Sequence, residues 1–202
     1  MLLALIVGTA ALATASNSAT CSHRVSVCNS SVDYFPVKLE FAHSGSVKSL
    51  RYYNTYAVAE MSWVAWSGTH LATYVFVRCG CPSPNVGGGS KEFYVPVSSV
   101  LIEETVAVPK LYMIGQGQKV AAVASSAFVS TTQLLVDIRA GLVVDIRSNY
   151  TNLLTELPAL PDVLLTGTGP TASKRGWTAE MTERQFLDAD AGETSPLGRA
   201  EL

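Results

Sequence analysis

Charge is scarce in this chain. Of its 202 residues only 15% are Asp, Glu, Lys or Arg, and the formal net charge is -2. No stripe of Lys and Arg occurs along it. So weak a field does not gather a polyanion, which argues against a nucleic-acid partner. Histidine is scarce too: His23, His43 and His70 all lie before residue 71 and away from the polar strand ends considered below. There is no G-x-S-x-G elbow, and no nucleophile and base stand where a triad would need them. The expectation is a protein without catalytic activity. Walker and G-x-G-x-x-G patterns are absent, so no nucleotide cofactor, and no other cofactor, is expected. Cysteine is limited to Cys21, Cys28, Cys79 and Cys81, whose Cys-x6-Cys and Cys-x-Cys spacings do not make a zinc finger.

What the chain does contain is apolar. A hydrophobic content of 48% is enough for a true core and leaves no room for bulk disorder. Residues 1–15, MLLALIVGTAALATA, form an apolar run ending in small residues. Ala13-Thr14-Ala15 fits a cleavage site before Ser16, although the usual basic start is missing. The run is short for a bilayer span. It reads as a secretory signal, with an uncleaved anchor as the minority reading, placing the protein outside the cell, in a periplasm or at a cell surface. An even number of cysteines behind an export signal suggests disulfides. A bridge between Cys79 and Cys81 would be strained across one intervening residue. Cross-pairing of Cys21 and Cys28 with Cys79 and Cys81 is therefore expected, with the partners left open.

The hydrophobic period changes along the chain. Residues 16–95 are rich in Val, Tyr, Phe and Thr with a period near two, as in Lys38-Leu39-Glu40-Phe41 and Tyr74-Val75-Phe76-Val77-Arg78-Cys79. That pattern predicts antiparallel strands, closed by a loop at Cys81-Pro82-Ser83-Pro84 and Gly87-Gly88-Gly89. Residues 96–202 alternate strand and helix. Strands are predicted over 97–102, 119–124, 142–146 and 163–166, helices over 108–114, from 130 to Gly141, and from Thr151 or Asn152. Ser130 and Gln133 have the spacing of a capping box. A brief helix over 181–185 and a strand over 186–188 close the series. The fold class expected is α/β: a Rossmann-like parallel sheet preceded by a β-rich extension.

Parallel sheets hold ligands at the carboxyl ends of their strands. The candidate binding residues are accordingly Thr105 after the first strand, Ser125 and Ser126 after the second, and Thr166, Gly167, Thr168 and Gly169 at the last clear one. Trp177 suits stacking on a planar ligand, or packing beside a short helix. Glu103 and Glu104 end the first strand, and at least one of two adjacent strand residues points to solvent.

In order, Val32-Asp33-Tyr34-Phe35-Pro36, Tyr74 to Gly80, the sheet segments over 95–147, Leu165-Thr166-Gly167-Thr168-Gly169 and Glu193-Thr194-Ser195-Pro196-Leu197-Gly198-Arg199-Ala200-Glu201 resemble the solute-binding proteins of ATP-binding-cassette importers. The type is the iron–siderophore, haem and cobalamin class, with two lobes bridged by one long helix. The resemblance implies a ferric chelate, haem or cobalamin as ligand and an importer permease or other membrane receptor as partner. It implies further that the Pro-Leu-Gly-Arg-Ala-Glu run opens the bridging helix. This chain would then supply the first lobe without the second, and bind ligand weakly or not at all alone. One departure stands out: where the family carries a Ser/Thr-Thr-His run, this chain has Glu104-Thr105-Val106-Ala107. Two other readings follow from the residues: a secreted interaction or adhesion protein that uses the parallel lobe as scaffold, and, less favoured, a small exported hydrolase.

Overall fold

Alternating Val, Tyr and Phe build the first half of the chain, as their branched and aromatic side chains fit a pleated surface. The computed structural model describes residues 21, 25–41, 44–65, 68–166 and 176–187. The leader at 1–15, Gly167, Thr168, Gly169 and the run over 193–201 lie outside the described residues. The chain divides into two compact units, one running to Val97 and one beginning at Ser98.

In the first unit β1 (Val47–Tyr52), β2 (Tyr56–Ala65), β3 (Gly68–Arg78) and β4 (Lys91–Val95) form one sheet in the order β1-β2-β3-β4. β1–β2 and β2–β3 are antiparallel, whereas β3–β4 is parallel. The parallel edge departs from the sequence expectation. A period of two reports which face a side chain takes and says nothing of strand direction. The stretch between β3 and β4 is about a dozen residues long, enough to carry the chain back for parallel pairing. Lys38 to Phe41 alternates in sequence yet forms no strand.

Both faces are buried at the centre of this sheet. Tyr74, Phe76 and Phe93 lie on one face with their rings 6.0–6.2 Å apart. Val58, Val75 and Val77 lie on the other, covered by Val25, Cys28 and Tyr34 of the segment that precedes the sheet. Two disulfides hold that segment down, Cys21–Cys79 and Cys28–Cys81. They are the cross-pairing expected from the sequence.

The second unit alternates β5 (Val100–Ile102), α1 (Ala107–Met113), β6 (Val120–Val123), α2 (Thr132–Arg139), β7 (Val144–Asp145), α3 (Tyr150–Glu156), β8 (Val163–Thr166), α4 (Ala179–Glu183) and β9 (Gln185–Leu187). Five parallel strands form the sheet β7-β6-β5-β8-β9. The protein is thus of mixed α/β class. β5 and β8 are buried along their whole length, as expected of strands covered on both faces. Leu101, Ala122, Ile146, Tyr150, Leu153, Leu164 and Met181 form one core cluster, with Trp177 and Leu157 against it.

Boundaries shift where a side chain competes for backbone groups. The strand predicted from residue 97 begins only at Val100. Ahead of it, the N–H groups of Ser98 and Ser99 donate to the Asp162 carboxylate at 2.6 and 3.2 Å. The capping box does not form: Thr131 is the N-cap of α2 without a side-chain bond, and Gln133 donates forward to Asp137 at 2.9 Å. The third helix is capped by Asn149, not by Thr151 or Asn152. Asn152 instead donates to the Ile146 carbonyl at 3.2 Å.

Candidate functional site

Every strand of the parallel sheet ends on the same edge, so Ile102, Val123, Asp145 and Thr166 close on one rim, with the described residues after the first three beside it. The chain runs outward from β5 through β6 to β7, then returns to the other side of β5 as β8. The strand order therefore reverses between β5 and β8. A crevice beyond such a reversal is where open α/β sheets take ligands.

Glu103 stands at that point. Its N–H continues the ladder to the Leu165 carbonyl at 2.8 Å. Its carboxylate accepts a hydrogen bond from the Tyr150 hydroxyl at 2.6 Å. Tyr150 is 1% exposed. Burial, and then this bond to a carboxylate, push its phenol well above the ordinary tyrosine value. The Tyr150 ring meets Trp177 edge-on, with centroids 4.8 Å apart. Trp177 is half-buried, and its indole N–H donates to Thr182 at 2.9 Å.

A second polar group spans the ends of β6 and β7, one and two strands from β5. Asp145, at the end of β7, accepts from the Ser126 hydroxyl and from the Ser126 N–H at 3.2 Å. Its other oxygen accepts the Arg147 N–H at 2.9 Å. Burial raises the Asp145 carboxyl, but these bonds from Ser126 and Arg147 outweigh it, and the net shift is below the ordinary carboxylate value. Arg147 and Ser148 then take φ of 50° and 56°. Two consecutive non-glycine residues in the left-handed region are strained, a feature that clusters at binding sites. The Ser148 N–H to the Ala124 carbonyl at 2.6 Å and the Asn149 N–H to the Ile146 carbonyl at 2.8 Å hold them there.

The residues expected from the sequence fall as follows. Thr105 is half-buried on the rim, and its carbonyl accepts the Val108 N–H at 3.1 Å as α1 begins. Ser125 caps a helical turn by accepting the Ala127 N–H at 3.3 Å. The Ser126 hydroxyl is spent on Asp145. Thr166 is fully buried and accepts from the Gln185 amide at 2.7 Å. Gly167, Thr168 and Gly169 lie outside the described residues. Thr105, Ser125, Ser126 and Thr166 thus share the carboxyl edge. Ser126 and Thr166 there serve as supports for neighbours.

Sequence reasoning missed Asp145, Tyr150 and Gln185. Asp145 was within reach, because a carboxylate closing the apolar run Leu142-Val143-Val144 is the same kind of signal as Glu103 after Ile102. Nothing local marked Tyr150, which finds Glu103 across 47 residues of chain. Among the described residues no group of three or more His, Cys, Asp or Glu is arranged to hold a metal ion. Comparison with protein-family models, with curated proteins and with solved structures finds no match for this chain. The arrangement can donate and accept hydrogen bonds along the rim, and among the described residues its carboxylates Glu103, Glu104 and Asp145 outnumber its one cation, Arg147.

Proposed function

We propose that this protein is an exported, non-catalytic binding module that takes its ligand at the carboxyl edge of a Rossmann-like parallel sheet. The observation that carries this reading is the reversal of strand order between β5 and β8, with Glu103, Tyr150 and Trp177 gathered at it. The resemblance to the capture component of iron-chelate, haem and cobalamin importers supports the same edge, with a permease or other membrane receptor as partner. Two disulfides support export, since such bridges persist in oxidising compartments. Among the described residues no helix is long and apolar enough to cross a membrane.

Ligand class follows from the rim. The carboxylates Glu103, Glu104 and Asp145 on the described rim disfavour an anionic ferric chelate and suit a ligand rich in amide N–H groups. A corrinoid with its ring of carboxamides fits that chemistry better than haem, whose propionates are anionic. One sheet edge covers one side of a ligand, against the ~70–90% enclosure of ordinary pockets, so binding by this chain is weak. The test is amide chemical-shift mapping with cyanocobalamin, haemin and a ferric hydroxamate. The expected result is sub-millimolar, fast-exchange binding of the corrinoid with shifts confined to residues 103–105, 124–126 and 145–150. No shift with any of the three, or shifts confined to residues 25–95, would sink the reading; the latter would favour an interaction or adhesion role. Micromolar or tighter binding would refute the one-sided site.

A further inference from the structure

The chain contains two Asn-x-Ser/Thr sequences, Asn29-Ser30-Ser31 and Asn149-Tyr150-Thr151. Both match the acceptor pattern for N-linked glycosylation of exported proteins. Sequence alone does not separate them; their surroundings do.

Asn29 lies in an exposed turn of the first unit, next to the bridged Cys28. Its carbonyl accepts the Val32 N–H at 3.0 Å. Its side-chain oxygen accepts the Ser31 N–H at 2.9 Å, and its own N–H donates to the Tyr34 hydroxyl at 3.2 Å. These bonds use the backbone and Oδ1, and leave the amide nitrogen Nδ2 out of them. Ser30 and Ser31 are exposed as well, and the Ser30 carbonyl accepts from Asn54 at 2.7 Å. Exposed Val27 and Val32, at 77% and 43%, flank the turn in sequence. A hydrated sugar chain on Asn29 would screen this apolar stretch.

Asn149 is placed otherwise. Its Oδ1 caps α3 by accepting the Thr151 N–H at 3.3 Å, and its Nδ2 donates to Asn152 at 3.2 Å. The middle residue of its triplet is Tyr150, locked in the core against Trp177 and Glu103. A sugar on this nitrogen competes with the bond to Asn152 and crowds the rim.

We infer that Asn29 is an N-glycosylation site and that Asn149 is not. The inference rests on the export reading. In the reaction the Asn29 Nδ2 attacks the anomeric carbon of a polyprenyl-pyrophosphate-linked oligosaccharide, presented by a lumenal oligosaccharyl transferase. An N–C bond forms, the C–O bond to phosphate breaks, the pyrophosphate leaves with the electron pair, and Nδ2 gives up one proton.

The experiment is expression of the full chain, with its own leader, in a eukaryotic secretory host. Mobility is compared before and after peptide-N-glycosidase, and the modified asparagine is located by mass spectrometry after enzymatic release in heavy-oxygen water. The expected result is one shift that collapses on digestion and maps to Asn29. Ser31→Ala, which retains the backbone N–H that holds the turn, abolishes it; Ser31→Thr keeps it; Thr151→Ala leaves it unchanged. A chain retained in the cytosol with reduced cysteines overturns the export reading and this inference with it. A chain exported and disulfide-bonded but unshifted, or shifted through Asn149, overturns this inference alone.

Discussion

The two disulfides make a quantitative prediction about each other. Cys21–Cys79 closes a chain separation of 58 and Cys28–Cys81 one of 53, so either bridge alone removes about 4 kcal/mol of chain entropy from the unfolded state. Together they are not independent. Once one bridge exists, the second closes only the short path from Cys21 to Cys28 and from Cys79 to Cys81, about nine residues, worth roughly 2.5 kcal/mol. Losing one bridge from the wild type should therefore cost about 2.5 kcal/mol whichever it is, and losing both about 7 kcal/mol. Alanine is the replacement of choice, because Cys79 and Cys81 are buried and a serine hydroxyl there would need a partner. The readout is hydrogen exchange of the Val75 and Val77 amides against urea, which reports the unit holding the bridges. Cys28→Ala/Cys81→Ala and Cys21→Ala/Cys79→Ala are each compared with the quadruple variant. Single-bridge losses of about 4 kcal/mol that simply add would refute the shared-loop reasoning. So would losses below about 0.5 kcal/mol, which would mean that the bridges do not constrain the unfolded chain.

Three further outcomes follow from the second unit. Gly176 has φ of +81°, and a Cβ there would collide with the Thr151 backbone nitrogen, so Gly176→Ala should destabilise by about 2–4 kcal/mol. Gly141→Ala, at φ +72° with open space around it, should cost only about 1 kcal/mol; equal losses in thermal unfolding would rule out the close approach. The lowered Asp145 carboxyl stabilises the fold above the ordinary carboxylate value, and this contribution disappears as pH falls through the lower folded value. Asp145→Asn should flatten the acid limb of a urea-midpoint profile, and an unchanged limb would remove Asp145 from the account. At the alkaline end the Tyr112 phenol is pushed up to about 12 by burial and its bond with Asp137, and Tyr150 is raised further. The unfolded chain then ionises first, so stability should fall as pH rises past about 10. Tyr150→Phe should cost about 1 kcal/mol at neutral pH and lessen that alkaline loss; ultraviolet titration showing Tyr150 ionised in the native protein near pH 10 would contradict the buried pair.

Short apolar runs and the breaks between them sufficed to locate most of the structure. Val163-Leu164-Leu165 has no polar face, so it belongs to a sheet covered on both sides, and β8 is buried throughout. Helical segments between such strands required parallel pairing. Two cysteines separated by one residue pointed away from each other as partners, and the cross-pairing followed. These are local properties, carried by residue size, polarity and spacing. The helix starts were less accurate because caps depend on which polar atom reaches a free N–H first. At α3 that atom is Asn149 Oδ1, and at the predicted capping box none does.

Tertiary structure alone decided the rest. Alternation states which face a residue takes, and is silent on strand order and direction. Nothing in Lys91-Glu92-Phe93-Tyr94-Val95 distinguished a parallel from an antiparallel edge to β3, nor did any local pattern set β8 beside β5 rather than beside β7. That choice creates the order reversal at the candidate site. Pairs such as Tyr150 with Glu103, Ser126 with Asp145 and Gln185 with Thr166 follow from it, because their members lie 47, 19 and 19 residues apart. Residues so distant meet only after packing has selected one arrangement of the strands. The polarity of the rim was therefore written in the chain, while its assembly into one edge depended on long-range burial of the apolar faces.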